Sequence, residues 1–215
     1  FVVFMQGCNL RCGCCHNPET WETTVGTEYT VKELADKVER YREYFRDNGG
    51  ITLTGGEPLL QSEFVTELFN ECHRRKINTC LDTSGSILND AVKEALSHTD
   101  RVLLDIKYTT DEDYKNYVGC SIDRPIEFLE YLNSQKIPVT LRQVIIPTLN
   151  DNKENILRLN EIIKKYDCIE KTELLPFKKL CSVKYDKLGL NFRFGELPTP
   201  TKQLVTSLEE LIEKP

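Results

Sequence analysis

The sequence predicts an α/β protein with a mostly parallel sheet, in the form of a partial TIM-like (β/α)6 barrel. Six short apolar runs with strand-like composition alternate with stretches whose apolar residues recur at helical spacing. This alternation is typical of parallel sheets in which helices connect successive strands. Unusual motifs follow the strand-like runs, at the end where parallel α/β proteins carry their active sites.

The six predicted strands are short, and turn-forming or polar residues bound them. Their lengths are those of buried strands in parallel sheets. They cover residues 1–6, 51–54, 78–82, 101–106, 139–146 and 171–175.

Between the strands, apolar residues recur every three or four positions, as expected for helices that bury one face. The charged run at residues 36–47 is predicted to be the solvent face of the first helix, and residues 177–200 a long loop before the last. The apolar sets are Leu34, Val38, Tyr41 and Phe45; Phe64, Val65, Leu68, Phe69 and Cys72; Ile156, Leu159, Ile162 and Ile163; and Leu204, Val205, Leu208, Leu211 and Ile212.

Two further helices are predicted from their first turns. Pro125 suits the first turn of a helix that runs on through Leu132, because its missing N–H is not needed there. Thr110 with Asp113 resembles a capping box for a short helix that ends near Gly119.

Composition limits the function classes. The chain has 215 residues, 40% of them hydrophobic and 29% charged, which predicts one globular domain over residues 1–215. A formal net charge of −6 argues against a nucleic-acid partner, and no apolar stretch approaches the roughly 20 residues that span a bilayer. The nine cysteines are an odd number in a chain long enough to fold without disulfides, so we expect thiols in a reducing cytoplasm.

Three cysteines directly after the first predicted strand form the most informative motif. Cys8, Cys12 and Cys15 are spaced C-x3-C-x2-C in a loop, which offers three thiolates to one four-iron cluster and leaves the fourth iron free for a small molecule. A structural zinc site would need a fourth ligand, and no second cysteine pair is present. Cys14 is a spare thiol in the same loop that could be a ligand if Cys15 were not, and we interpret its side chain as a bystander.

Motifs also follow the next strands, and their charged residues leave alternatives open. Glu57, in Gly-Gly-Glu-Pro, could orient a cationic amine or hold its own loop. Asp82 and Thr83 could cap or turn the chain, whereas Asp82 and Asp105, at adjacent strand ends, could also bind a metal cation or the hydroxyls of a ribose. Lys107 is expected to meet a carboxylate, and Arg142 needs a buried partner, either a structural acid or an anionic ligand.

Taken together, these motifs are similar to those of one family. C-x3-C-x2-C followed by GGEP resembles the radical S-adenosylmethionine superfamily. The fuller set GCNLRCGCCHNPETW, LTGGEPLLQ, CLDTSG, LLDIK, LRQVIIP and ELLP closely resembles the pyruvate formate-lyase activating enzymes within it. The resemblance extends to about residue 177, and it implies that a segment normally precedes the first strand and is missing here.

The resemblance implies a set of site residues. Cys8, Cys12 and Cys15 would hold a [4Fe-4S] cluster whose open iron binds S-adenosylmethionine, and Lys107 would face the methionine carboxylate. Gly56 and its neighbours would receive the methionine amino group. The residues expected at the cofactor are Cys14, Cys15, His16, Gly55, Gly56, Glu57, Asp105, Ile106, Lys107 and Arg142. A monovalent cation is expected near Asp82, Thr83, Asp105 and the carbonyl of Leu103.

The implied reaction is hydrogen abstraction from a glycine of pyruvate formate-lyase by a 5′-deoxyadenosyl radical. The implied partners are this protein substrate and a flavodoxin- or ferredoxin-like electron donor, with no nucleic acid or membrane, and the protein is expected to be a monomer. A barrel of six strands leaves a gap on one side that a peptide loop could enter.

Two departures and three alternatives remain. Relatives often carry an aromatic residue in place of Cys14, and a histidine in place of Lys178. The chain could activate another glycyl radical enzyme, although many of those insert a ferredoxin-like module and residues 16–54 contain no cysteine. It could also act on a small molecule, or serve only as an electron-transfer module, which would give the motifs at the strand ends no role.

Overall fold

Six parallel strands form one sheet in the order of the sequence. The computed structural model describes residues 1–46 and 48–213. Within them, the strands pair in the order β1-β2-β3-β4-β5-β6, so that β1 and β6 are the edges. The strands are β1 (Val2–Met5), β2 (Gly50–Gly55), β3 (Asn78–Thr83), β4 (Arg101–Asp105), β5 (Val139–Ile145) and β6 (Ile169–Pro176). All six predicted strands and the parallel α/β class are confirmed.

Helices connect the strands and cover one face of the sheet. The α-helices are α1 (Val31–Glu39), α2 (Ser62–Arg74), α3 (Asp90–Ser97), α4 (Asp111–Tyr117), α5 (Asp123–Gln135), α6 (Lys153–Lys165), α7 (Ser182–Leu188) and α8 (Lys202–Glu209). Polar caps begin most of them. Thr30 caps α1 in a capping box with Glu33, and the Thr110 side chain accepts from the Asp113 N–H as predicted. In the part of the chain that the structure describes, no helix is long and apolar enough to cross a bilayer.

Alternation along the strands separates the core from the site. On β4, Val102 and Leu104 are fully buried in the core with the helices, whereas Asp105 lies on the opposite face. On β3 and β5, Asp82 and Arg142 share the face of Asp105. A second apolar cluster packs under the loop that follows β1, and its buried members are Leu10, Tyr108, Tyr114, Val118, Ile146, Phe177 and Phe194.

The first helix differs from its prediction. The apolar spacing predicts one helix through residue 45, but α1 ends at Glu39 and a 3-10 turn follows at Arg42–Tyr44. Tyr41 is 45% exposed but packs on Phe1, with ring centres 5.1 Å apart, so the spacing identified a packing side chain without distinguishing the α-helix from the tighter turn. Asp47, the last residue of the charged run, lies outside the described residues.

Three other helical features were not predicted correctly. Helix α3 was missed, and α7 interrupts the segment predicted as one long loop. The last helix ends at Glu209, so Leu211 and Ile212 follow it rather than continue it. Helices α3, α7 and α8 have only seven or eight residues, and two turns give too few repeats for the apolar period to define their bounds.

Candidate active site

The cysteine loop, residues 7–17, is anchored by its own backbone at the carboxyl end of β1. The Gly7 N–H donates to the Thr20 carbonyl at 2.8 Å. The Gly13 N–H donates to the carbonyl of Tyr117, at the end of α4, at 2.9 Å. These bonds fix the loop to two separate parts of the chain, so its cysteines keep their relative positions.

Gly13 is required by close packing inside this loop. A Cβ atom at position 13 would lie 2.5 Å from the ring of Phe194, which is buried. Tyr185 closes the loop from another side, because its hydroxyl donates to the Cys15 carbonyl at 3.1 Å. Residues from the last 40 of the chain therefore shape a loop near its beginning.

Burial shifts the thiol pKa values of two of the predicted cluster ligands, Cys8 and Cys12. Burial raises the pKa of the Cys12 thiol, Lys107 opposes this effect, and the neighbouring thiols of Cys14, Cys15 and Cys8 raise the pKa further. Burial likewise raises the pKa of Cys8. Thiolates in this loop therefore need positive charge, which both Lys107 and iron would provide.

The thiols of the described residues do not form a site for a single metal ion. Among residues 1–46 and 48–213, no three His, Cys, Asp or Glu side chains converge closely enough to hold one metal ion. A four-iron cluster does not require such convergence, because each cysteine binds a different iron. All nine cysteines are free thiols, so Cys8, Cys12 and Cys15 are available as three such ligands.

The turn after β2 packs tightly against the cysteine loop. The Glu57 N–H donates to the Gly7 carbonyl at 2.8 Å, and the Gly56 N–H donates to the Met5 carbonyl at 2.9 Å. A Cβ atom at Gly56 would lie 2.1 Å from the Gly7 carbonyl oxygen. Gly55 has a φ of +111°, which favours glycine. The two glycines thus allow two backbones to meet beside the cysteines.

The Glu57 carboxylate holds this turn to the end of β3. It is 1% exposed and accepts from the Thr83 hydroxyl at 2.7 Å. It also accepts from the Ser84 N–H at 3.0 Å, the Ser84 hydroxyl at 2.6 Å and the Leu59 N–H at 3.2 Å. Of the two roles that the sequence left open, the structure shows the second, holding the loop. The contact of Glu57 with a cofactor amine stays a prediction.

A buried ionic network joins the ends of β3, β4 and β5. The Arg142 guanidinium lies between Asp82 and Asp105, and its Nε donates to Asp105 Oδ1 at 3.0 Å. Lys107 Nζ donates to Asp105 Oδ2 at 2.9 Å, and the Thr54 hydroxyl donates to Asp82 Oδ2 at 2.9 Å. Arg142 and Lys107 therefore have the acidic partners expected of them.

The pKa values of the two carboxyl groups in this network are shifted in opposite directions. Burial disfavours the charged form of Asp105, but Lys107 and Arg142 outweigh burial and lower its pKa. Burial and the charge of Asp105 raise the pKa of Asp82 despite Arg142. Burial lowers the pKa of Lys107, and the charge of Asp105 outweighs it, so that Lys107 remains an ammonium.

Other predicted residues lie at the site, but some of their groups are used within the protein. The Ile106 side chain is fully buried and its N–H donates to the Arg142 carbonyl, so only its carbonyl remains for a ligand. His16 Nε2 bonds the carbonyl of Lys178 at 2.8 Å. The Leu103 and Thr83 positions adjoin Asp82 and Asp105 through the strand register. In the structure, the Arg142 guanidinium lies between the two carboxylates. The monovalent cation expected there stays a prediction.

Three tyrosines at the site were missed by sequence reasoning. Tyr185 contacts the cysteine loop, and the Tyr114 hydroxyl accepts from the Lys107 N–H at 3.0 Å. Tyr108 follows Lys107 directly and is 1% exposed. The one available signal was proximity to the DIK motif, which Tyr108 adjoins.

Comparison with known proteins places this chain in a family. The model of the Radical SAM superfamily matches residues 2–159. The chain is 42% identical to the pyruvate formate-lyase-activating enzyme of Clostridium pasteurianum, over 99% of this chain and 90% of that protein. It is 37% identical to the pyruvate formate-lyase 1-activating enzyme of Escherichia coli strain K12, over 100% of this chain and 88% of that protein.

Solved structures share the fold at lower identity. Streptococcus suis SuiB bound to S-adenosylmethionine has a TM-score of 0.72 at 17% identity, over 98% of this chain and 45% of that chain. A domain of the Bacteroides vulgatus pyruvate-formate lyase-activating enzyme has a TM-score of 0.62 at 20% identity, over 77% of this chain and 93% of that chain. With the sequence match over nearly its whole length, the chain belongs to the radical S-adenosylmethionine superfamily and, within it, to the pyruvate formate-lyase-activating enzymes.

Proposed function

We propose that this protein activates a glycyl radical enzyme and that its protein substrate is pyruvate formate-lyase. The observation that carries the proposal is the C-x3-C-x2-C spacing of Cys8, Cys12 and Cys15 in one loop anchored at the carboxyl end of β1, in a chain 42% identical to an activating enzyme of that name. A [4Fe-4S] cluster held by Cys8, Cys12 and Cys15 would supply the one electron needed to cleave S-adenosylmethionine into methionine and a 5′-deoxyadenosyl radical, and this radical would take a hydrogen atom from the partner's glycine.

The residues of this chain bind and position the two cofactors in this proposal. Cys8, Cys12 and Cys15 ligate three irons. Lys107 remains positively charged beside the cysteine loop, which suits a contact with the methionine carboxylate. At Gly56 the two backbones meet without side chains, so that main-chain groups can approach the methionine amine. These contacts orient the cofactor before the electron arrives.

Other residues at the predicted cofactor site act as positioning residues. Glu57 ties the turn after β2 to β3, and Arg142 ties β3 to β4 through Asp82 and Asp105. A monovalent cation at Asp82 and Asp105 would compete with the Arg142 guanidinium for the same oxygens. Dependence of activity on added potassium, at constant ionic strength, tests this part of the proposal.

We propose that residues 1–215 act as one radical S-adenosylmethionine domain, in a cytoplasmic monomer. The nine free thiols suit a reducing compartment. The six-stranded sheet has two edges in the described residues, β1 and β6, and the opening between edges would admit a glycine-bearing loop of the partner.

The electron donor in this proposal is a small acidic carrier of the flavodoxin or ferredoxin class. Residues 177–193 carry five basic residues and one acidic residue, in a chain whose net charge is −6. Leu180 is 77% exposed and Val183 is 60% exposed in this segment, which contacts the cysteine loop through Tyr185. A basic surface with an apolar centre next to the cluster fits an acidic redox partner.

The docking surface is tested by the rate of cluster reduction. Reduced flavodoxin should reduce the reconstituted protein more slowly as salt increases, because salt screens the attraction between opposite charges. Lys187→Glu on the basic segment should slow reduction about tenfold at low salt. The matched change Lys93→Glu on α3 should not slow reduction. Equal rates of cluster reduction in the Lys187→Glu and Lys93→Glu variants would exclude residues 177–193 as the docking surface.

The proposed function is tested by incubating the reduced protein with S-adenosylmethionine and pyruvate formate-lyase without oxygen. Electron paramagnetic resonance should detect a glycyl radical in the partner, and 5′-deoxyadenosine should form with it. A partner with alanine in place of its radical glycine is the control and should give no radical. Formation of 5′-deoxyadenosine without any glycyl radical would indicate another substrate, such as a different glycyl radical enzyme. Absence of 5′-deoxyadenosine would overturn the enzyme assignment.

A further inference from the structure

The hydroxyl of Tyr108 is buried without a hydrogen-bond partner. The residue is 1% exposed, and its oxygen has no donor or acceptor within reach among the described residues. Its neighbour Tyr114 is equally buried, but the Tyr114 hydroxyl accepts from the Lys107 N–H. A buried hydroxyl without a partner costs stability, and such groups are rare unless a bound group satisfies them.

Tyr108 lies in the apolar cluster beneath the cysteine loop. Leu10, Phe177 and Phe194 are members of this cluster, and the side chains of Cys12 and Cys14 pack against it. The ring of Tyr108 packs on that of Tyr117, and the Tyr117 carbonyl accepts from the N–H of Gly13, which lies between Cys12 and Cys14 in the loop. Tyr108 therefore packs against the loop that carries the predicted cluster ligands.

The backbone around Tyr108 is fixed in this orientation. The Ile106 N–H donates to the Arg142 carbonyl at 2.9 Å, and the Lys107 N–H donates to the Tyr114 hydroxyl. The ring of Tyr108 also packs against the ring of Tyr117, with ring centres 5.3 Å apart. A water molecule is a poor partner for the hydroxyl, because a buried water needs two or more polar contacts and the surrounding side chains are mainly apolar.

We propose that Tyr108 donates a hydrogen bond to a sulfur of the cluster bound at Cys8, Cys12 and Cys15, and that this bond raises the reduction potential of the cluster. Hydrogen bonds to cluster sulfurs are among the factors that set this potential. The added electron makes the sulfurs more negative, so the bond is stronger in the reduced state and favours reduction. The inference rests on the proposed function, since it presupposes the cluster.

The test is the midpoint potential of the cluster in the reconstituted protein without S-adenosylmethionine. Tyr108→Phe keeps the ring and removes the donor, so at a fixed ambient potential we expect the ratio of reduced to oxidised cluster to fall about tenfold. For one electron, that ratio corresponds to a midpoint about 59 mV lower. Tyr117→Phe, which removes a hydroxyl from the adjacent ring, is the matched control and should leave the midpoint unchanged. Equal midpoints in wild type and Tyr108→Phe would overturn the proposal.

If the Tyr108→Phe protein binds no cluster, a second variant tests the proposal. Fluorotyrosine at position 108 keeps the hydroxyl and makes it a stronger donor, so the ratio of reduced to oxidised cluster should rise. A fall or no change would contradict the proposal, because a purely structural role gives no reason for opposite shifts. If wild-type protein assembles no cluster, the proposed function fails. If the cluster forms and none of these changes alters its midpoint, only the role of Tyr108 fails.

Discussion

The two ends of β3 and β4 carry polar clusters of different character. At the amino end, Asp100 Oδ2 accepts from the Thr79 N–H at 2.8 Å and contacts His73 Nε2 at 3.1 Å, and the Asp100 side chain is 46% exposed. At the carboxyl end, Asp105 bonds Arg142 and Lys107, and these three side chains are mostly buried.

This difference between the two ends agrees with the proposed location of the chemistry at the carboxyl end. The amino-end cluster connects backbone and side chains at the start of the strands and leaves its charges in contact with solvent, where they contribute little. The carboxyl-end cluster keeps two cations and two carboxylates out of water, which is costly unless each has partners. The same pair of strands thus carries a stabilising end and an end that positions charges beside the cysteine loop.

The largest expected effect concerns the cysteine loop at the carboxyl end. Cys12→Ala removes one of three proposed ligands and should abolish both the cluster and the formation of 5′-deoxyadenosine. Wild-type protein should contain about four irons per chain after reconstitution. Cys14→Ala removes the neighbouring thiol, which is not a proposed ligand, and should retain the iron. Iron analysis and visible absorption check both variants, and the reverse result would transfer the ligand role to Cys14.

Asp105→Asn tests the buried network. The substitution leaves Arg142 and Lys107 buried with too little negative charge, so we expect a loss of about 3 to 5 kcal/mol in the free energy of unfolding at pH 7. Urea unfolding of the apoprotein, followed by circular dichroism, measures it. A loss below about 1 kcal/mol would mean that the network is solvated like an exposed pair.

The Asp105→Asn variant also predicts how the free energy of unfolding changes with pH. Because the folded-state pKa of Asp105 is lowered, its contribution to stability is fully present above the unfolded-state value of about 3.9. That contribution is lost as the pH falls through the lower folded-state pKa. The difference in unfolding free energy between wild type and Asp105→Asn should therefore narrow below about pH 4. A constant difference from pH 7 to pH 3 would contradict the assigned shift.

Glu57→Gln tests the carboxylate that joins the turn after β2 to β3. Its four donors all point at carboxylate oxygens, and a side-chain amide would place an N–H group against at least one of them. We expect a loss of about 2 to 4 kcal/mol in the free energy of unfolding and weaker binding of S-adenosylmethionine. Glu63→Gln, on the exposed face of α2, is the control and should change neither quantity. Unchanged stability in Glu57→Gln would remove its structural role.

Much of the arrangement at the carboxyl ends of the strands could be predicted from the sequence. The strand runs were visible because each is apolar and follows a turn, and parallel connection places the ends of successive strands at one edge. The order of the strands along the chain is therefore enough to bring Asp82, Asp105 and Arg142 together. It also places Cys8, Cys12 and Cys15 at the same end.

The contacts that could not be predicted from the sequence depend on packing between distant segments. Tyr185 meets the cysteine loop across 170 positions of sequence, and neither segment carries a local signal for the other. The role of Glu57 was undecided because its partners, Thr83 and Ser84, come from another strand. The partnership of Asp100 with Thr79 escaped prediction for the same reason, since exposed acids are common and only tertiary contacts distinguish this one.

The smallest expected effect belongs to the amino end. Asp100→Asn keeps an oxygen that can accept from the Thr79 N–H and loses only the charge, on a side chain that solvent already screens. We expect a loss of about 1 kcal/mol in the free energy of unfolding and no change in the rate of 5′-deoxyadenosine formation. Urea unfolding and a single-turnover assay check the two parts. A lower rate at unchanged cluster content would show that the two ends of the strands are coupled, and the separation of stabilising and chemical ends would then be wrong.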